Sequence, residues 1–174
     1  SGSTETAVSS MAELLSNLST NDPYENTKVI SMVASELQQW ESQLISNIGN
    51  ACPLCSGHGT CPSNDQDCIC ENGWTLPDCS MPTVLFEQII SLKEEAIFLL
   101  NSSYNRIPDD GLEYTLLGAL DDLSTSPYFN TNYTLTLIQN LLNHTVDLTD
   151  PNKILDAQQS EFVSNIANNI VEFV

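Results

Sequence analysis

Cys52-Pro-Leu-Cys55-Ser-Gly-His58-Gly-Thr-Cys61, then Cys68-Ile-Cys70-Glu-Asn-Gly73-Trp74 and Pro77-Asp-Cys79, holds all six cysteines of the chain. Their spacing is C-x2-C-x5-C-x6-C-x1-C-x8-C. Pro53, Gly57, Gly59, Pro62, Asn64, Asp65, Asn72, Gly73 and Pro77 fill the gaps with turn formers, and aliphatic side chains are scarce. So short a segment cannot bury a core of its own, and an even, dense cysteine count is how such segments are held. One bridge across a loop of this size contributes about 3 kcal/mol by restricting the unfolded chain. The count alone leaves about 15 pairings open.

Zinc is the rival use of the same thiols. C-x2-C followed by C-x-C offers four ligands, but the second half fits tetrahedral zinc poorly and two cysteines are left over. A redox C-x-x-C needs a strand–helix context, and none surrounds Cys52.

The spacing, the Ser56-Gly-His-Gly59 turn and the Cys68-Ile-Cys70-Glu-Asn-Gly73-Trp74 run together resemble an EGF-like module of the tenascin type, over about 28 residues. The resemblance implies the pairs Cys52–Cys61, Cys55–Cys68 and Cys70–Cys79. One departure is visible: such modules often carry a second glycine three residues after the first, where this chain has Leu76. Calcium-binding relatives resemble one another in an acidic cluster before the first cysteine. Ser46-Asn-Ile-Gly-Asn-Ala51 offers no carboxylate there, so neither calcium nor any other metal or cofactor is expected. Asp65 and Asp67 read as solvated turn residues.

Outside the cysteine window the apolar residues recur at helical spacing. Val8, Met11, Leu15 and Leu18 mark one helix. Asn21-Asp22-Pro23 predicts a capped start for a second, whose stripe is Ile30, Val33, Leu37, Trp40, Leu44 and Ile48. It runs to Gly49, directly before the cysteines. Pro82 is expected to open a third, with Leu85, Ile89, Leu92, Ala96 and Leu99 on one stripe and Phe86, Ile90, Ile97 and Leu100 beside it. Ile107-Pro-Asp-Asp110 is a turn. Leu112, Leu116, Ala119, Leu120 and Leu123 form the next helix, Ser126-Pro127 breaks the chain, and Leu135, Ile138, Leu141 and Leu142 follow. Asp150-Pro151 is expected to cap the last helix, with Leu155, Phe162, Ile166, Ile170 and Phe173 inward. Leu18-Ser-Thr-Asn-Asp-Pro-Tyr24 resembles Leu123-Ser-Thr-Ser-Pro-Tyr128, either as a common helix–turn–helix device or as a duplicated hairpin. The predicted fold is mainly α, a helical bundle or set of helical hairpins, with an inserted small disulfide-rich EGF-like β module. Segment 1–50 and segment 81–174 would pack together around the insertion at 51–80.

Four basic residues (Lys28, Lys93, Arg106, Lys153) face 23 acidic ones among 174 residues, a net charge of −19. Such a chain cannot hold a phosphate backbone, which excludes nucleic acid, and an anionic membrane repels it. The longest apolar run, Ala96–Leu100, is far below the roughly 20 residues of a membrane helix. No signal peptide opens the sequence, and Ser1–Thr6 reads as a processed or internal start, so the chain is expected to be a fragment of a larger protein.

Catalytic patterns are absent. His58 sits in the stapled turn, where polar side chains usually face water, and His144 lies in Asn143-His-Thr145. Neither has a nucleophile and carboxylate arranged beside it in sequence, and no metalloprotease, phosphate-loop or nucleophile-elbow motif occurs. Glu94-Glu95 and Asp121-Asp122 are adjacent and do not face each other on a helix, so solvated surface is expected. Sequons occur at Asn17, Asn101, Asn132 and Asn143. With 17 asparagines and 34 serines and threonines, chance gives about three, so four argue little for export; the cysteines argue for it. On an exported chain some of these sequons are expected to carry N-glycans.

The helices with Leu-Ser-Thr-x-Pro turns resemble the helical half of GAIN-type domains in adhesion-receptor and polycystin-like ectodomains. That family's His-Leu-Ser/Thr self-cleavage motif is missing, since His144 is followed at once by Thr145. The expected function is a non-catalytic structural, adhesion or assembly module at the cell surface or in the matrix. Its partners would be extracellular proteins, copies of itself or the rest of its parent. The alternative is a secreted EGF-type ligand that binds a receptor.

Overall fold

In a computed structural model the described residues are 2–18, 22–48, 54–63, 67–104, 113–125, 129–146, 151–152 and 154–173. Among them are six helices and four two-residue strands, in the order α1 Gly2–Ser16, α2 Pro23–Ile48, β1 Gly59–Thr60, β2 Ile69–Cys70, β3 Trp74–Thr75, β4 Met81–Pro82, α3 Thr83–Tyr104, α4 Glu113–Ser124, α5 Asn132–Val146 and α6 Ala157–Phe173. A mainly α chain interrupted by a small β module is thus the fold.

The helix starts have local causes. Asp22 Oδ1 accepts the Tyr24 N–H at 3.0 Å and its carbonyl accepts the Asn26 N–H at 3.1 Å, so Pro23, which has no N–H to leave orphaned, opens α2. The helix runs 26 residues, about 39 Å. Thr131 caps α5 by exchanging side chain and backbone with Thr134, at 3.2 and 2.8 Å. Asp156 and Gln159 form the reciprocal box that starts α6, at 2.8 and 3.1 Å. The cap expected at Asp150-Pro151 is therefore displaced: Pro151 lies in a turn and the helix begins at Ala157. Likewise Pro82 does not open α3. It pairs with Trp74 as the last residue of β4, and the helix begins one residue later.

The two Leu-Ser-Thr segments, whose likeness extends to Asn26-Thr27 and Asn130-Thr131, behave differently. Asn26 and Thr27 lie inside α2, whereas Asn130 and Thr131 precede α5. The turns at 107–110 and 126–128 lie outside the described residues.

The helices bury much of the predicted stripes, while Leu18, Trp40, Leu44, Phe86, Leu155, Phe162 and Ile170 are part-buried against the core; Leu112 lies outside the described residues. Val8, Met11 and Leu15 of α1, Ile30, Val33 and Leu37 of α2, Leu85, Ile89, Leu92 and Ala96 of α3, and Leu116, Ala119, Leu120 and Leu123 of α4 form one core with Ile138, Leu141 and Ile166. Leu99 sits only part-buried at its margin. Helix α2 packs on α1, α3 and α4; α3 also on α1, α4 and α5; α4 also on α5 and α6. The two helices that flank the module therefore pack directly on each other. Their contact contains an ion pair: Lys93 Nζ lies 3.0 Å from Glu41 Oε1 and donates to Oε2 at 3.3 Å, with both side chains fully buried.

Candidate functional site

The module is built from tight turns that need unusual backbone. Cys55, Ser56 and Gly57 follow one another at φ 47°, 53° and 79°, a left-handed run that only the glycine adopts without cost. Strand β1 then pairs antiparallel with β2, Gly59 opposite Cys70. A Cβ on Gly59 would stand 2.6 Å from the Ile69 carbonyl oxygen and 2.8 Å from Cys79 Sγ, so the second glycine of Ser-Gly-His-Gly is a packing requirement. Cys55 is bonded to Cys68 and Cys70 to Cys79, with Cα atoms 5.8 and 5.4 Å apart. Cys61 is also disulfide-bonded. Cys52, and with it the Cys52–Cys61 pair implied by the resemblance, lies outside the described residues, as does Asp65. Asp67 is exposed.

His58 does not simply face water. Its ring stacks on Trp74, centroids 3.4 Å apart and planes 6° from parallel, while its carbonyl accepts the Glu71 N–H at 2.8 Å. Leu54 and Ile69 are exposed on the same module.

Leu76 is the residue standing where a glycine was expected. It keeps a glycine-like φ of 77° and its carbonyl accepts the Cys79 N–H at 3.0 Å, so the turn is made despite the side chain. A left-handed non-glycine residue costs about 1–2 kcal/mol. The side chain is only 8% exposed and joins the helical core together with Met81. Burying a leucine contributes about 2 kcal/mol, enough to offset the strain. The module is thus anchored to the bundle by Leu76 and Met81. A second tie is the Thr83 N–H at the start of α3, which donates to the Gly73 carbonyl at 2.9 Å and so satisfies one of the helix's orphan donors. No residue separates β4 from α3.

The remaining predicted sites are dispersed. Asn17 follows the end of α1 and Asn132 opens α5, both exposed. Asn143 is exposed in the last turn of α5, and Asn101 is half-buried in the last turn of α3. His144 lies in α5, far along the chain from His58. Asp121 and Asp122 are half-buried rather than fully solvated. Asn165 Nδ2 of α6 donates to Asp121 at 3.3 Å. Burial raises the Asp121 carboxyl above its usual range, with nearby Glu161 adding to the rise against the hydrogen bonds from Asn165 and Asn169. Burial first, and the Asp121 charge second, push Asp122 up to about 6. The exposed cap Asp156 is held low by the Gln159 N–H and by the Tyr114 hydroxyl.

The sequence reading missed the Glu41–Lys93 pair. Burial drives the Glu41 carboxyl up and the Lys93 ammonium down, and each charge opposes the shift of the other. Lys93 Nζ also lies 5.9 Å above the centre of the Phe129 ring, which contacts Trp40 and Phe86. The signal was present in the sequence: Glu41 falls four residues after Leu37 and Lys93 four before Ile97, each on an apolar stripe. Among the described residues no group of three or more histidines, cysteines or carboxylates is placed to hold a metal ion. No helix among them is long and apolar enough to cross a membrane.

A family model for the teneurin-like EGF domain matches residues 52–82. The EGF-like reading of the cysteines is thereby shown, and the match ends with β4, the strand that joins the module to α3. No curated protein and no solved structure matches the chain. A teneurin-like EGF domain with its disulfides formed accords with an extracellular matrix or adhesion-type protein and with an oxidising location.

Proposed function

We propose that the chain is a non-catalytic extracellular module in which a helical bundle holds an EGF-like unit in a fixed orientation for adhesion or assembly in a larger surface or matrix protein. The observation that carries this reading is the junction. β4 passes into α3 without a linker, and Leu76 and Met81 of the module belong to the helical core. A ligand released to search for a receptor gains nothing from such anchoring, whereas a rigid presenting element depends on it. Among the described residues, Glu41 and Lys93 are sealed from solvent and His58 is stacked on Trp74. A resemblance of these helices to the helical part of GAIN-type domains in receptor ectodomains fits the same reading, as do glycans at the exposed Asn17, Asn132 and Asn143.

Two measurements on the purified oxidised chain test it. Backbone ¹⁵N relaxation is expected to give the module and the helices one tumbling time, and beads coated with the chain are expected to adhere to cells or matrix. Independent tumbling of residues 54–82, or receptor phosphorylation triggered by the chain in solution, would overturn the reading in favour of the secreted ligand.

A further inference from the structure

Helix α3 has a second long face, turned away from the core. Between it and α1 runs a groove of about 400 Å³ whose floor is the apolar Val8, Ala12 and Leu92 and whose rim bears Glu87 and Glu95. Ser91 and Glu95 also line the adjoining depression, with Glu94, Phe98 and Tyr133, so the two are continuous. Val84, Phe98 and Tyr133 along this track are 67%, 53% and 51% exposed. From Val84 to Phe98 the track measures about 21 Å, four helical turns. Among the described residues its acids have no cationic side chain set against them. The two described lysines are committed elsewhere, Lys28 to Glu25 at 3.3 Å and Lys93 to Glu41.

We infer that the α1–α3 groove, continued by Phe98 and Tyr133, is a docking surface for a basic amphipathic helix of a partner protein. Charge complementarity selects this occupant. A second copy of the chain would bring another charge of −19 to the groove, and an anionic membrane would be repelled in the same way. A helix with an apolar stripe at i, i+3, i+4 and i+7 fits a track of this length whose apolar points, Val8, Ala12, Val84, Leu92 and Phe98, alternate with polar ones, and lysines or arginines beside that stripe meet the glutamates. The inference deepens the adhesion and assembly reading by naming the kind of partner. The groove lies on the helical bundle, not on the EGF-like unit, so the two fail separately.

The test uses the full oxidised chain and a fluorescent peptide of about 15 leucines and lysines patterned as an amphipathic helix, with a scrambled peptide of identical composition. Fluorescence anisotropy at physiological salt is expected to show the patterned peptide binding about tenfold more tightly than the scrambled one. Glu87→Gln combined with Glu95→Gln is expected to weaken it about fivefold. Val84→Asp is expected to weaken it further. Glu36→Gln with Glu71→Gln, which removes two exposed acids elsewhere, is expected to leave it unchanged. Equal binding of the scrambled peptide, or equal loss on removing the distant acids, would overturn the inference. Bead adhesion that persists in the groove variants would leave the presenting role standing while the groove is abandoned.

Discussion

Replacing Lys93 by Met tests how the core tolerates its one described ion pair. The lysine and Glu41 are both fully buried, and Nζ approaches the two carboxylate oxygens at 3.0 and 3.3 Å. Lys93→Met fits the volume but leaves Glu41 buried with no cation beside it. Breaking a buried pair in this way costs about 3–5 kcal/mol, a large part of the roughly 5–15 kcal/mol that holds a domain of this kind. The double variant Glu41→Leu/Lys93→Met removes both charges and is expected to lie within about 1 kcal/mol of the parent, or above it, because neither ion then has to be desolvated. Urea unfolding of the oxidised chain, followed by circular dichroism, gives the midpoint and slope for all three proteins. The single variant has its own pH signature. Glu41 in the fold is already raised above its ordinary range by burial, and losing the lysine raises it further. The folded state then takes up a proton more readily than the unfolded chain, so the deficit shrinks as pH falls through the folded value toward the unfolded one. A single variant that loses less than about 1 kcal/mol, or a double variant as damaged as the single, would refute the reasoning.

Four further substitutions, at three positions, probe the junction, the hairpin and the half-buried carboxylate of α4. Leu76→Ala keeps the left-handed strain and loses the anchor, at a cost of about 3 kcal/mol, while Leu76→Gly loses the anchor but relieves about 1 kcal/mol of strain. Thermal denaturation is therefore expected to rank glycine above alanine, the reverse of their usual order. Gly59→Ala drives a Cβ into the Ile69 carbonyl and Cys79 Sγ; the fraction of chain recovered with every thiol oxidised, read by mass spectrometry after alkylation, is expected to fall sharply. Asp122, raised to about 6 in the fold, destabilises the native state once it ionises. The penalty is absent below the unfolded carboxylate value and complete above about pH 6. Asp122→Asn is therefore expected to stabilise the chain at pH 7 by about 1 kcal/mol, a figure reduced for its half exposure, and to change nothing below about pH 4.

What the sequence made legible was periodic or punctuated. Asp22-Pro23 marks the start of α2 because a cap and a proline act within one turn, and Ile30 to Leu37 declare their buried face by spacing alone. The cysteine spacing with Gly57, Gly59 and Gly73 is legible because turn geometry is local. The misreadings come from choices between local signals of similar strength. Asp150-Pro151 and Asp156-x-x-Gln159 are both start signals, and the reciprocal box prevails. Pro82 suits a first helical position, but the pairing of Trp74 with Pro82 claims it for a strand. Glu41 and Lys93 were passed over because a charged residue is read as surface unless its position on the stripe is weighed above its charge. The half-burial of Asp121 depends on α6 crossing α4, a tertiary fact with no trace in the local pattern. The absence of Leu76's glycine was visible in the sequence; the compensation, a side chain sunk into the helical core, was not.

The contact between Glu41 and Lys93 spans 52 residues of chain. The cross-links at 55–68 and 70–79 bypass 13 and 9 of those steps with a single bond each. The covalent path between the two charges then falls to roughly 32 residues, and the entropy of ring closure drops by about 0.4 kcal/mol. Oxidation is thus a shortcut for the polymer as well as a clasp for the module. A nascent chain whose two cross-links have formed closes the contact between α2 and α3 about twice as fast as one still carrying thiols.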